Sequence, residues 1–370
     1  MSSPTNHAAF LMERKGHPFK VNTAPIPTLQ PYELLIRTHA VAINPCDPII
    51  QSAGVIQETF PGIIGCDLAG SVVSIGSSIS NFRIGDRVIA AVESGAFQEY
   101  CAADVGMVAK LPASIPYEKG VVLPACLGTA ATALFHKREM GLEYPTLEAG
   151  VKKNGKVVLV WGGASVVGSC AIQVLKAAGY EVAATASSHN HKYLKEELGV
   201  DGEGLVFDYK KDDVVEEILE GLKNSGKEFA GVFCAIIDIP TLTKCAKIAD
   251  VLGKKDENSR VVGTVVPPNL PWIPSAEDLP KGVRMAFCRF TADLLPHSKL
   301  RSQFGWGDEW EANDVGEKIW GKWVTPALES GLLKCKPEPK IVGDGLEKIQ
   351  DAVNIMSKGV SATKLVVTIP

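Results

Sequence analysis

The run Val157-Val158-Leu159-Val160-Trp161-Gly162-Gly163-Ala164-Ser165-Val166-Val167-Gly168 constrains what this chain can fold into more than any other stretch. An unbroken apolar segment reads as a strand buried on both faces. The glycines and small residues behind it permit a tight turn and the start of a helix from Gly168 to Ala178. The next strand-like segment, Glu181-Val182-Ala183-Ala184-Thr185-Ala186, lies one helix length further on. Strands at 204–207, 231–236 and 260–265 then alternate with helical stretches at 190–199, 211–224 and 240–252. Strands alternating with helices predict an α/β, doubly wound parallel sheet.

Residues 1–125 read differently. Strand-like stretches at 33–44, 70–76 and 86–92 are punctuated by Gly, Pro and Asn-Pro, which predicts a mostly-β, partly open barrel. A helix is expected over 126–140. The segment from Pro267 to about Asp308 is proline-rich and carries Trp272, Phe287, Phe290, Phe304 and Trp306. A long aromatic loop of this kind is more often functional than accidental. A helix over 314–333 and a strand over 364–369 complete the pattern.

A glycine-rich turn between a buried strand and a helix suits a dinucleotide. Small residues let the backbone approach a pyrophosphate, and the helix start offers unpaired N–H groups and a positive dipole end. The end of the second strand discriminates between nicotinamide forms. An NAD site places Asp or Glu there for the ribose 2′-hydroxyl. This chain has Thr185-Ala186-Ser187-Ser188-His189-Asn190-His191-Lys192, with no carboxylate. Hydroxyl, amide, imidazole and ammonium groups are donors for a 2′-phosphate, so NADP(H) is the expected cofactor. Ser187 and Asn190 also suit a helix cap, and one geometry serves both roles.

Charge excludes other partners. Lys and Arg number 38 against 42 Asp and Glu, a net charge of −4, with no basic run that would mark a nucleic-acid binder. No apolar run approaches the roughly 18 residues of a membrane span. The start lacks the pattern of a secretory signal, and nine dispersed cysteines read as reduced thiols, so a cytoplasmic location is expected.

Asn44-Pro45-Cys46-Asp47, Gly65-Cys66-Asp67-Leu68-Ala69-Gly70, Gly85-Asp86-Arg87-Val88, Gly95-Ala96-Phe97-Gln98-Glu99-Tyr100 and Ser361-Ala362-Thr363-Lys364-Leu365-Val366-Val367 together resemble the medium-chain dehydrogenase/reductase superfamily. The resemblance covers nearly the whole chain. It implies a split GroES-like catalytic domain (1–125 and 301–370) around a Rossmann nucleotide domain (126–300). Within it the chain is most similar to the trans-acting enoyl reductases of fungal polyketide pathways, of the lovastatin-pathway type, and their toxin-cluster relatives. Ser187-Ser188-His189-Asn190 followed by Phe207-Asp208-Tyr209 carries that closer likeness. It implies that Ser187, Ser188, His189 and Asn190 hold the 2′-phosphate and that Tyr209 lies by the adenine. Gly163 to Gly168 would follow the pyrophosphate, with Ala164, Ser165, Val166 and Val167 against it. Cys46, Asp47, Pro48 and Ile49 would face the nicotinamide side, and Val360 would approach the cofactor. Thr129 with Ala130, Ala131, Thr132, Ala133, Leu134, Phe135, His136 and Lys137 would line an acyl channel. Phe287 and Phe290 could shape the pocket, although core packing is the commoner fate of aromatics.

Two departures matter. The zinc branch carries Gly-His-Glu where this chain has Gly65-Cys66-Asp67, and it has a cysteine-rich lobe with no counterpart here. A catalytic zinc needs three protein ligands, so no metal is expected. Relatives often carry Lys two places after the Asp of Asn-Pro-x-Asp; this chain has Ile49.

The resemblance implies reduction of an activated C=C bond on an acyl thioester, possible partners including the acyl carrier domain of a polyketide synthase. Alternatives are a quinone or enone oxidoreductase on free small molecules, a redox-neutral double-bond isomerase, and a non-enzymatic NADPH-binding protein. Thr129 is the candidate donor to the developing enolate oxygen; its hydroxyl could equally bond back within the helix. No side chain stands out as proton donor to the α-carbon. Lys281, Arg284, Arg289, Lys299 and Arg301 could form a basic patch for an acidic carrier, or a solvated loop. Arg284 and Arg289 near the edge at 283–291 discourage strand pairing between copies, so a monomer is expected.

Overall fold

The computed structural model describes residues 5–148, 150–200, 204–254, 259–267, 270–306 and 313–370. The proline-rich segment expected from Pro267 to Asp308 is therefore partly outside the described residues, at 268–269 and 307–308.

Six parallel strands form one sheet in the spatial order Val206–Asp208, Glu181–Ala186, Lys156–Trp161, Glu228–Cys234, Val261–Thr264 and Arg284–Ala286. The apolar segment 157–161 takes the interior position that its burial demands. Helices Val166–Ala177, Val214–Asn224 and Ile239–Leu252 cover the faces. The second of these shows why. Val214, Val215, Ile218 and Leu222 fall on one buried stripe, while Glu216 and Glu220 face solvent.

A second sheet runs in the order Pro339–Asp344, Lys364–Thr368, Glu33–Ile43, Asp67–Ile75, Arg87–Ala91 and Val108–Lys110, with Tyr100–Asp104 also paired to Glu33–Ile43. The long strand 33–43 serves both partners on one edge in turn. Residues 33–37 pair with 100–104, and residues 40–43 pair with 365–368. A three-stranded sheet of Lys20–Ala24, Asn6–Leu11 and Gly62–Ile63 closes over the same apolar core.

The predicted elements are present, with shifted ends. The helix expected over 126–140 runs from Pro124 to Phe135, and His136 leaves it in an extended conformation. The stretch 190–199 is a tight turn at Ser188–Asn190 followed by a wide helical turn at Tyr193–Glu197. Elements not anticipated include strands 6–11, 20–24, 62–63, 100–104, 108–110 and 339–344, and helices Cys46–Ala53 and Ile349–Met356.

Helix Pro124–Phe135 joins the two halves. It packs on helix Val166–Ala177 and strand Val261–Thr264 on one side, and on strands Asp67–Ile75 and Arg87–Ala91 on the other. Its N-terminal end therefore meets the barrel near the carboxyl ends of the parallel strands, where ligands bind in open α/β sheets.

Candidate cofactor and substrate cleft

The glycine-rich loop leaves Trp161 through Gly162, whose φ of +82° suits glycine. The Gly162 N–H donates to the Thr185 hydroxyl at 3.0 Å and the Gly163 N–H to the Thr185 carbonyl at 2.9 Å, fixing the loop to the second strand. Ser165 caps the helix by accepting from Gly168 N at 3.0 Å. A Cβ on Gly168 would lie 2.3 Å from the Gly162 carbonyl oxygen, so only glycine allows this closure. The N–H groups of Val166 and Val167 have no intrahelical acceptor, as at any helix start. Unpaired N–H groups and the positive end of the helix dipole make such a start favourable for an anion.

Beside it, Ser187 and Asn190 are buried, and Ser188 and His189 are exposed. Ser187 Oγ meets His189 Nε2 at 3.4 Å and the Asn190 amide at 3.5 Å. The Asn190 amide also donates to Ser361 Oγ at 2.9 Å, across to the barrel half, next to Val360. Tyr209 and Val360 are exposed. One acid here escaped the sequence reading. Asp208, on the adjacent strand, pairs in register with Ala186. Its carboxyl is held below the usual range, first by the Lys210 backbone N–H, with Ser188 contributing. The signal was available, because a residue one strand over in a parallel sheet ends at the same level.

A buried charge cluster gathers around Lys364, at the head of strand Lys364–Thr368. Lys364 Nζ contacts Asn44 Oδ1 at 2.6 Å, Asp67 Oδ2 at 2.8 Å and Cys126 Sγ at 3.5 Å. Asp67 also accepts from Asn44 Nδ2 at 2.7 Å and from Ala125 N at 2.5 Å. Asn44 N in turn donates to Asp47 Oδ2 at 2.7 Å. Burial pulls the Lys364 pKa down, but Asp67, Cys126 and Asp47 together outweigh it and hold the ammonium well above its ordinary value. Burial pushes the Asp47 carboxyl up to about 7, against the opposing pull of the Asn44 N–H and Lys364. Asp47 Oδ1 is buried and has no partner. Burial likewise raises the Cys126 thiol to about 11. A lysine ammonium thus stands where an amide oxygen, a carboxylate and a thiol converge. Among the described residues no group of three His, Cys, Asp or Glu side chains could hold a metal ion.

The cleft wall is traced by side-chain contacts. The Cys66 thiol bonds Cys46, which with burial raises its pKa well above the ordinary thiol. Cys66 Sγ also approaches the Glu93 carbonyl at 3.6 Å. Glu93 accepts from the Thr291 hydroxyl at 3.1 Å and from Lys299 N at 3.3 Å. Thr129 donates to the Ala125 carbonyl at 2.8 Å and contacts the Cys288 thiol. Cys46, Thr129, Phe290 and Thr291 are therefore brought into one neighbourhood. Ile49 is 46% exposed. Ala130 to Phe135 are buried in the core behind Thr129, His136 caps the helix, and Lys137 is exposed beyond it. Phe287 is half-buried, with its N–H on the Glu139 carboxylate at 2.5 Å.

The basic patch considered for residues 281–301 dissolves in the structure. Arg301 is buried, donating to the carbonyls of Ala292, Leu295 and Pro296 at 2.7, 2.8 and 2.5 Å. Arg284 donates to the carbonyls of Arg138 and Glu139. Arg289 pairs with Asp293 at 3.7 Å. Two of these guanidinium groups cap backbone and the third pairs with a carboxylate, leaving Lys281 and Lys299 as the exposed cations of the set.

A curled β sheet set against a doubly wound parallel sheet, whose interior strand 156–161 runs through a glycine turn into a helix, is a frame on which nucleotide-dependent oxidoreductases are built. Residues 30–113 match the alcohol dehydrogenase GroES-like domain. The chain is 34% identical over 382 residues to dehydrogenase orsE of Emericella nidulans, covering 98% of this chain and 99% of that one. It is 32% identical over 377 residues to trans-enoyl reductase himH of Aspergillus japonicus, covering 100% and 99%. The chain belongs to the medium-chain dehydrogenase/reductase superfamily, alongside fungal dehydrogenases and trans-enoyl reductases. Its fold matches that of the CurK enoyl reductase, with a TM-score of 0.73 at 18% identity over 99% of both chains. It also matches mycobacterial Rv1454c complexed with NADPH, with a TM-score of 0.67 at 21% identity over 98% of this chain and 99% of that one. The cofactor class is a nicotinamide nucleotide. Among the described residues no helix is long and apolar enough to cross a membrane.

Proposed function

We propose that this protein is an NADPH-dependent reductase of activated C=C bonds, acting in trans on a polyketide-type acyl thioester in secondary metabolism. The observation that carries this reading is the likeness to trans-enoyl reductases along the whole chain, which takes in both the donor turn and the Thr129 cleft. The residues fit the cofactor. Gly168 leaves room for no side chain, and the second strand ends in hydroxyl and amide donors. Gly163 to Gly168 would hold the pyrophosphate, and Ser187 to Asn190 the 2′-phosphate, with Tyr209 and Val360 flanking. Cys46, Asp47, Pro48 and Ile49, the first turn of helix Cys46–Ala53, would lie on the nicotinamide side.

When bound, the reduced nicotinamide supplies hydride to the β-carbon of the alkene. The protein holds the alkene in place and excludes water. The Thr129 hydroxyl exchanges its bond to Ala125 O for one to the thioester carbonyl, where charge develops. Phe287 and Phe290 face the acyl group, backed by the helix from Ala130 to Lys137. Solvent supplies the α-proton. In this reading residues 1–125 and 301–370 form the catalytic part, and 126–300 the nucleotide part. The partner is the acyl carrier domain of a polyketide synthase, and the protein works as a cytoplasmic monomer.

The test is incubation with deuterated NADPH and a panel of enoyl thioesters, enones and quinones, read by mass. A thioester that gains one deuterium and one solvent hydrogen supports the reading. Reduction of free quinones or enones alone would replace it with the quinone reductase alternative. A rearranged thioester of unchanged mass would replace it with an isomerase.

A further inference from the structure

Phe290 stands at the cleft in a backbone conformation that its side chain disfavours. Its φ is 52° and its ψ is −126°. Glycine enters that region freely, whereas a residue with a Cβ is held there only by its surroundings. Those surroundings reach both walls of the cleft. Two residues earlier, Cys288 contacts the Thr129 hydroxyl, and its sulfur accepts the Phe290 N–H at 3.3 Å. One residue later, Thr291 is tied to Glu93 at 3.1 Å. Glu93 connects through Cys66 to Cys46 at the start of helix Cys46–Ala53. Phe290 therefore spans the gap between the helix wall and the barrel wall.

The ring has a defined seat. A Cβ on Gly128 would lie 3.5 Å from Phe290 Cε2, so the ring packs over the bare backbone of the residue preceding Thr129. It is half-buried and rests against the apolar core. An ordinary negative φ at 290 would swing the ring off Gly128. The strained backbone is what keeps the aromatic ring seated over Gly128, one residue before Thr129.

We infer that Phe290 is the specificity-determining residue of this cleft, its ring forming the end stop against which the acyl chain of an unsaturated thioester is measured. The inference rests on the reductase reading above. A fixed apolar stop selects by volume, and a methylene of misfit in such a pocket changes kcat/KM by about tenfold or more.

The experiment compares wild type, Phe290→Ala and Phe290→Gly on crotonyl, octenoyl and dodecenoyl thioesters with NADPH, alongside their melting temperatures. Both variants lose the ring, and only glycine also relieves the backbone. The expected result is a rise of about tenfold in the ratio of kcat/KM for octenoyl over crotonyl thioester in both variants. The Gly variant is also expected to melt several degrees above the Ala variant. An unchanged chain-length profile in both variants, with wild type active, overturns the end stop and leaves the reductase reading standing. A Gly variant that melts below the Ala variant overturns the strained seat. A wild type that reduces none of the thioesters while reducing quinones removes the reductase reading, and the end stop with it.

Discussion

Replacing Asp47 by Asn should stabilise the protein at alkaline pH while leaving it little changed in mild acid. Asp47 is fully buried, one of its oxygens accepts from Asn44 N at 2.7 Å, and the other has no partner. Burial lifts its carboxyl from 3.8 to about 7. That shift is about three units, and at 1.36 kcal/mol per unit it amounts to about 4 kcal/mol. The sign follows from proton counting. Between about pH 4 and 7 the folded protein keeps the Asp47 proton and the unfolded chain has lost it, so stability falls as pH rises through that window. Above about 7 both states are ionised and the penalty is complete. Asn keeps the acceptor for Asn44 N and cannot ionise. Other titrating groups are common to both proteins and cancel in the difference. Urea denaturation from pH 4 to 9 should therefore give curves that coincide near pH 4 and diverge to about 4 kcal/mol in favour of Asp47→Asn near pH 8. Parallel curves across the whole range would refute the reasoning, because the carboxyl would then titrate alike in both states.

The other predictions follow from single contacts. Lys364→Met leaves Asp67 buried without its partner at 2.8 Å, and should cost about 3–5 kcal/mol in urea denaturation. Gly168→Ala places a Cβ 2.3 Å from the Gly162 carbonyl, and fluorescence titration should show NADPH binding weakened at least about tenfold. Ser187→Ala removes a buried hydroxyl from the donor turn, and should weaken NADPH by about tenfold while changing NADH little. Equal effects on the two nucleotides would point to Asp208 and a ribose 2′-hydroxyl instead.

The nucleotide half was legible because its signals are local. The segment 157–161 is apolar throughout and the glycines follow at once, so sequence neighbours are also structural neighbours. The barrel half assembles from distant pieces. Lys364 sits at the head of an apolar strand, and nothing nearby in sequence says that its partners are Asn44 and Asp67. Helix Cys46–Ala53 was hidden by Pro45 and Pro48, which read as loop but sit at a helix start, where proline is tolerated. Arg284 and Arg301 misled for another reason. A guanidinium reads as surface charge, yet its fork of donors also satisfies backbone carbonyls that would otherwise be buried unpaired. The glycine turn between strand 156–161 and helix 166–177, and the turn at Ser188–Asn190 after the next strand, stand where the residues and the family resemblance put them. The Glu93 contacts cross between halves and the Cys288 contact joins residues far apart within one half, and neither carries a sequence pattern.

The pairing of strands 33–43 and 364–368 fixes the order in which the molecule can be made. The two are joined at Asn44 and Lys364, which are 320 positions apart. A ribosome releases the first barrel strands early and must then synthesise the entire nucleotide sheet before their partner emerges. Throughout that interval the edge at residues 40–43 stays open, a template for another chain. The nucleotide sheet has no such wait, since residues 156–286 contain all six of its strands. Pulse proteolysis of stalled nascent chains should find the nucleotide half resistant first and the barrel resistant only after residue 368 has left the exit tunnel.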